Sequence, residues 1–183
     1  ATVARLSLGR FYFLSAAVAE LHDEDWMVQQ RQPDEHVDIR NVTDDFGVLV
    51  LTGPRSRDIL GQLTDSDLSN EAFPWMRCQE VEVAGIPVRA LRVSYVGELG
   101  WELHHPMGRM TELYEQLHQA GTKHGLKDFG TYAVNSLRME KAYKAWGGEL
   151  TTEITPVEAD LLRFVDFSKS FTGREATLAR KLQ

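Results

Sequence analysis

The stretch that decides the fold is Ser94-Tyr95-Val96-Gly97-Glu98-Leu99-Gly100-Trp101-Glu102-Leu103. It joins a run rich in strand-forming residues, 88–95, to a second short run, 101–105. Because Gly97 and Gly100 can both adopt a positive φ, the pattern predicts a β-hairpin whose tip carries Glu98-Leu99. The fold is therefore expected to be built around an antiparallel pair of strands.

Alternation along the second run separates its side chains into two sets. It predicts Glu102 and His104 on one face, with Trp101, Leu103 and His105 on the other. A carboxylate in such a place can accept two parallel N–H donors from a flat heterocycle. The spacing alone leaves open an ordinary hairpin with a solvated glutamate, and it favours Trp101 as a core residue over a stacking platform.

The segment 131–146 predicts a helix with a buried arginine. Val134, Arg138, Ala142 and Ala145 recur at helical spacing, so Arg138 falls among small apolar residues. A buried guanidinium needs a carboxylate partner, because burying it alone is costly. That partner is either a protein Asp or Glu, or an acidic group of a ligand held by the planar guanidinium.

The remaining pattern predicts an α+β fold, mainly antiparallel sheets with packed helices. Strands are expected at 10–14, 37–40, 46–52 and 80–88, the last with a turn at Ala84-Gly85. A helix following a Ser15 cap is expected over 16–27, and another over 110–124, which carries Leu113 and Leu117 on one stripe. Strands and helices interleave without a regular βαβ repeat, which argues against a parallel sheet.

Composition excludes several classes of function. The 183 residues carry a net charge of −7 with no basic block, which argues against nucleic acid as a partner. The longest aliphatic run, Val48–Leu51, is too short to span a bilayer. Cys78 is the only cysteine and is interpreted as a structural residue. His104 and His105 are adjacent and point to opposite faces, so no metal site is predicted.

Two separated motifs carry a family resemblance. The first segment resembles the signature S-Y-T-G-E-L-G-x-E-L, and 129–143 resembles the helix motif G-x-x-A-x-x-x-L-R-x-E-x-x-x, followed by similar runs at 146–147 and 153–159. The chain thus resembles the folate-binding aminomethyltransferase family, which includes the glycine-cleavage T-protein. Within it, the chain most resembles the folate domain of dimethylglycine and sarcosine dehydrogenases. The similarity runs from Val3 to about Leu178.

This resemblance implies tetrahydrofolate as the bound cofactor and names three binding residues. Tyr95 matches a tyrosine that lines the pocket, and Glu102 matches the glutamate that grips the amino-pyrimidine edge of the pterin. Arg138 matches an arginine that contacts the bound ligand. The family's catalytic aspartate would come just before Ala1, so no catalytic residue is expected within the chain.

The resemblance also implies a domain organisation. Residues 1–178 would be a folate-binding domain, incomplete at its N-terminus, and 179–183 would begin a linker to an absent C-terminal barrel. FAD would act only through an absent upstream domain, and the isolated chain is expected to be inactive.

The activity expected of such a protein is one-carbon transfer from a donor derived from a methylated amine, forming 5,10-methylenetetrahydrofolate. The compartment would be the cytoplasm, or the mitochondrial matrix in a eukaryote, and formation of a homo-oligomer stays open. Two alternatives remain: a T-protein-like aminomethyltransferase and a non-catalytic folate-binding module.

Overall fold

The computed structural model describes residues 1–182. The chain divides into two compact units, residues 1–135 and the part from residue 136 onward, and each is described by itself. Gln183, the last residue of the predicted linker, lies outside the described residues, and residues 179–181 belong to a helix. The predicted domain boundary near residue 178 stays a prediction. Across residues 1–182, every helix is too short or too polar to cross a bilayer.

The first unit holds two antiparallel sheets, which confirms the predicted α+β class. The strands are β1 (Thr2–Ser7), β2 (Arg10–Leu14), β3 (Phe46–Thr52), β4 (Cys78–Val83), β5 (Ile86–Leu91) and β6 (Gly100–Pro106). In the described residues β1 pairs with β2, and the other four form a sheet in the order β3-β6-β5-β4. All of their pairings are antiparallel.

The α-helices of residues 1–182 are short, and the longest has 12 residues. They are α1 (Glu20–Gln30), α2 (Ser56–Leu60), α3 (Met110–Gly121), α4 (Thr131–Glu140) and α5 (Arg174–Lys181). Helix α3 buries Leu113 and Leu117, as their i, i+4 spacing predicts.

One face of the four-stranded sheet forms the core. Its side chains pack with those of α2 and α3, and alternation along each strand selects them. The principal members are Leu51, Ile59, Leu60, Phe73, Val81, Val83, Ile86, Val88, Ala90, Trp101, Leu103, Leu113 and Leu117. The opposite face is less covered, since Val48 and Val50 of β3 are both exposed.

The turn between β4 and β5 lies where the sequence predicts it. Ala84 and Gly85 both have positive φ, +50° and +74°, and Val83 pairs with Ile86 across them. This geometry matches the right-handed twist of the flanking strands.

Two predicted elements in the N-terminal part of the chain are wrong in extent or type. Residues 37–40 lie outside every described strand, because no neighbouring strand pairs with them. Helix α1 begins at Glu20 instead of residue 16, and its N-cap is Ala19 rather than Ser15. A 3-10 turn precedes it, in which the Ala19 N–H donates to the Ala16 carbonyl at 2.8 Å.

The helix predicted over 131–146 ends at Glu140. Ala142 has a φ of +56°, and the Tyr143 N–H donates back to the Arg138 carbonyl at 3.0 Å. A left-handed residue with such a back-directed bond closes a helix C-terminus. Ala142 and Ala145 therefore do not continue the apolar stripe of Arg138.

Candidate functional site

Strand β6 holds the predicted site glutamate at the centre of the sheet. Glu102 pairs with Val50 of β3 and with Leu91 of β5, while His104 pairs with Val48 and Arg89. Trp101 and Leu103 belong to the core on the opposite face. The predicted alternation along this strand is confirmed.

The predicted hairpin has a longer connection than the sequence suggests. Strand β5 ends at Leu91 rather than near Tyr95, so residues 92–99 form a loop. Gly97 has the predicted positive φ, +72°. The reason given for Gly100 is wrong: it belongs to β6, and a Cβ there would lie 2.7 Å from the Leu51 carbonyl oxygen. Close approach of strand β3, not a left-handed backbone, favours glycine at this position.

Trp101 is a core residue, as favoured from the sequence. Its ring is fully buried and makes an edge contact with Phe73 at 6.2 Å between centroids. The guanidinium carbons of Arg57 and Arg92 lie 6.0 and 5.8 Å from its ring centroid. The indole is thus enclosed by protein groups, which leaves no open face for a ligand ring.

Glu102 retains accepting capacity on a partly exposed carboxylate. Its side chain is 28% exposed, and Oε2 lies 3.4 Å from His104 Nε2, the only hydrogen-bond partner of this carboxylate within residues 1–182. A carboxylate offers about four lone-pair sites. Several of them remain for N–H donors of a ligand.

Two residues support this carboxylate: His104, which the sequence places on the same face, and Tyr12, which the sequence reasoning missed. His104 is buried, and its Nδ1 lies 3.1 Å from the hydroxyl of Tyr12 on β2. Tyr12 precedes His104 by 92 residues, so no local spacing connects them. Only one indication of a role for Tyr12 is present in the sequence, namely that it lies between two phenylalanines in a predicted strand.

Arg89 completes the polar cluster on this face. Its guanidinium carbon lies 4.5 Å from the Tyr12 ring centroid, and Nη2 donates to Glu80 at 3.1 Å. Burial raises the pKa of Tyr12, with Arg89 opposing the rise. Burial also raises the pKa of the Cys78 thiol, which agrees with an unreactive structural cysteine.

The other two predicted binding residues occupy different parts of the chain. Tyr95 and Glu98 are exposed residues of loop 92–99 in the first unit. Arg138 lies in the second unit, near the end of α4. Binding of a ligand by Tyr95, Glu102 and Arg138 stays a prediction.

Arg138 has the carboxylate partner that its burial requires. The side chain is 8% exposed; Nη1 donates to the Tyr143 carbonyl at 2.7 Å and to both Glu149 oxygens at 3.1 Å. The Ala145 N–H and the Arg138 guanidinium lower the pKa of Glu149. Of the two partners left open by the sequence, the protein carboxylate is present.

Within residues 1–182, no group of three or more His, Cys, Asp or Glu side chains converges as a metal site. Two surface cavities of about 470 and 570 Å³ are lined by residues from 57–71 and from 28–38 respectively, and none of the three predicted binding residues lines them.

Comparison with known proteins gives a consistent result. Residues 1–169 match the family model described as GCVT N-terminal domain. Dimethylglycine dehydrogenase from Mus musculus is 43% identical over 178 residues, which cover 96% of this chain and 20% of that protein. Sarcosine dehydrogenase from the same organism is 46% identical over 136 residues, 73% of the chain and 15% of that protein.

An aminomethyltransferase from Thermoanaerobacter sp. (strain X514) is 37% identical over 172 residues, 93% of the chain and 46% of that enzyme. The chain therefore spans about a fifth of the mouse dimethylglycine dehydrogenase and under half of the bacterial transferase. With the family model matching most of its length, this chain belongs to the GCVT N-terminal domain family.

Proposed function

We propose that this chain is the tetrahydrofolate-binding, one-carbon-transfer domain of an enzyme like dimethylglycine or sarcosine dehydrogenase. The one-carbon unit derives from a methylated amine, and the product is 5,10-methylenetetrahydrofolate. Tyr95, Glu102 and Arg138 bind the folate. The enzyme acts in the cytoplasm or, in a eukaryote, in the mitochondrial matrix; the names of the two mouse relatives describe them as mitochondrial.

The observation that carries this proposal is the carboxylate of Glu102. It is partly exposed at the centre of the sheet, and its single hydrogen bond within residues 1–182 leaves further lone pairs for a ligand. The amino-pyrimidine edge of a pterin presents two roughly parallel N–H donors, which one carboxylate can accept together. The accepting oxygens of Glu102 therefore fit the two donors of that ring edge.

Arg138 serves the acidic end of the same ligand. A guanidinium carries five N–H donors in a planar fork, suited to the glutamate tail of folate. In the structure, Nη1 and Nη2 of Arg138 both donate to Glu149.

The chemistry of this chain is positioning. Holding the folate and the one-carbon donor in the reacting geometry converts an encounter in solution into an effectively unimolecular step. Keeping water away prevents loss of the carbon as formaldehyde. FAD supplies the oxidation of the amine when bound to a separate part of the enzyme, and the present sequence contains no dinucleotide-binding fingerprint.

A second candidate is an aminomethyltransferase of the glycine-cleavage type, which takes its carbon from a lipoyl carrier. The 37% identity to the Thermoanaerobacter enzyme favours it, although identity to the dehydrogenases is higher. A non-catalytic folate-binding module would keep the binding residues and lack turnover.

The test compares two glutamates of one sheet in the full-length enzyme that carries this chain. We expect Glu102→Ala to weaken tetrahydrofolate binding, measured by calorimetry, while reduction of the flavin by the amine substrate persists. Glu82→Ala is the control, because Glu82 is an exposed residue of β4. Unchanged folate affinity in Glu102→Ala contradicts the proposed role, and flavin-free turnover with a lipoyl carrier favours the second candidate.

A further inference from the structure

A chain of hydrogen bonds ends at the carboxylate proposed to bind the ligand. Tyr12 Oη lies 3.1 Å from His104 Nδ1, and His104 Nε2 lies 3.4 Å from Glu102 Oε2. His104 is 1% exposed, so both of its ring nitrogens meet protein groups instead of water. The series connects strand β2 to the site glutamate on β6.

The direction of each hydrogen bond follows from what the groups can do. An ionised carboxylate only accepts, so the Nε2 of His104 donates to Glu102. A neutral imidazole that carries its proton on Nε2 accepts at Nδ1, so the Tyr12 hydroxyl donates to His104. Burial raises the pKa of Tyr12, which keeps that hydroxyl protonated at neutral pH. Each group thereby selects the role of the next.

The tyrosine at the start of this series is itself held in place. Its ring meets Phe46 edge-on at 6.2 Å and the His104 ring at 5.4 Å with an angle of 85° between planes. The Arg89 guanidinium carbon lies 4.5 Å from the same ring. The hydroxyl is therefore directed at His104 by the ring's surroundings as well as by its own hydrogen bond.

From this geometry we propose that Tyr12 and His104 are positioning residues, which orient the Glu102 carboxylate toward a ligand edge that presents two parallel N–H donors. The inference rests on the proposed function. One oxygen of Glu102 is held by His104, which restrains rotation of the carboxylate. A ligand with an acceptor at that edge meets a negative charge and is rejected.

Removal of either positioning residue has a defined effect. Tyr12→Phe keeps the ring and its packing but removes the donor to Nδ1, so the His104 ring is oriented less firmly, while the Glu102 carboxylate still selects the Nε2-protonated tautomer. A single hydrogen bond of this kind corresponds to about a threefold to tenfold loss of affinity. His104→Gln retains a donor near Nε2, whereas His104→Asn reaches only about as far as Nδ1, so we expect glutamine to preserve affinity better.

The experiment has two readouts. Tetrahydrofolate binding is measured by calorimetry in the full-length enzyme for the wild type, Tyr12→Phe, both His104 variants and Glu102→Ala. Tyr114→Phe is the matched control, because Tyr114 on α3 also donates its hydroxyl to a carboxylate, that of Asp128, at 2.9 Å. Nitrogen-15 NMR of the 183-residue chain, labelled at its histidines, reports the tautomer of His104 in the absence of ligand.

The expected result is an Nε2-protonated His104 in the wild type and in Tyr12→Phe, loss of that signature in Glu102→Ala, and weaker binding in Tyr12→Phe and His104→Asn but not in Tyr114→Phe. An Nδ1-protonated His104 in the wild type overturns the inference. So does binding that Glu102→Ala abolishes and Tyr12→Phe leaves unchanged, and in that case the proposed function survives. Binding that is absent from the wild type, or indifferent to Glu102, overturns both.

Discussion

Replacing Gly100 by alanine tests the close packing that supports β6. An added Cβ would lie 2.7 Å from the Leu51 carbonyl oxygen and 2.9 Å from both Cβ and Oγ1 of Thr52. Since Thr52 is the ladder partner of Gly100, the strands must separate to make room. Overpacking costs about 1–3 kcal/mol, and contact with backbone puts this site near about 3 kcal/mol. Alanine loses less backbone entropy on folding than glycine, which offsets about 0.5–1 kcal/mol of this cost. The net loss in the free energy of unfolding is then about 2 kcal/mol.

The measurement is chemical and thermal unfolding followed by circular dichroism. A loss of about 2 kcal/mol in a chain of this length lowers the melting temperature by about 4–8 °C. Gly108→Ala is the control, because nothing lies within 4 Å of its added Cβ and its φ is not positive. We expect this control to be neutral or to gain about 0.4–1 kcal/mol. A Gly100→Ala protein within about 0.5 kcal/mol of the wild type would refute the reasoning.

Two further predictions concern the core and acid stability. Leu113→Ala empties a fully buried position and should cost about 2–5 kcal/mol in denaturant unfolding, whereas truncating exposed Val18 should change stability little; a cost below about 1 kcal/mol would contradict this. Arg180 and Thr155 lower the pKa of Glu158 from its ordinary 4.5 to about 2. The stabilisation that the ionised Glu158 carboxylate gives the folded state is therefore present above pH 4.5 and lost as the pH falls through about 2. In thermal unfolding over that range, Glu158→Gln should lose less stability than the wild type; parallel curves would disprove the contribution.

Local patterns in the sequence predicted the parts of the fold that depend on neighbouring residues. The Ala84-Gly85 turn, the buried stripe of α3 and the two faces of β6 each follow from short-range spacing. The end of α4 did not, because Ala142 adopts a left-handed conformation that alanine alone rarely signals. The strand predicted at 37–40 failed for a related reason: strand composition without a pairing partner does not make a ladder.

The candidate site was predictable only in part. Glu102 was identified by alternation and by resemblance, and the need of Arg138 for a carboxylate followed from its burial. Its partner Glu149 could not be named, because the path of the chain after Glu140 is set by turns. Tyr12 was missed since its contact with His104 spans 92 residues and depends on how the first hairpin lies against the sheet.

The enclosed position of Trp101 gives this protein an optical reporter. Trp26, Trp75 and Trp146 are all exposed, whereas Trp101 is completely buried. Iodide in solution should therefore quench the emission of three indoles and spare the fourth. Because Trp101 lies in the core of the sheet, the protected, blue-shifted fraction of the fluorescence will track the integrity of the apolar interior.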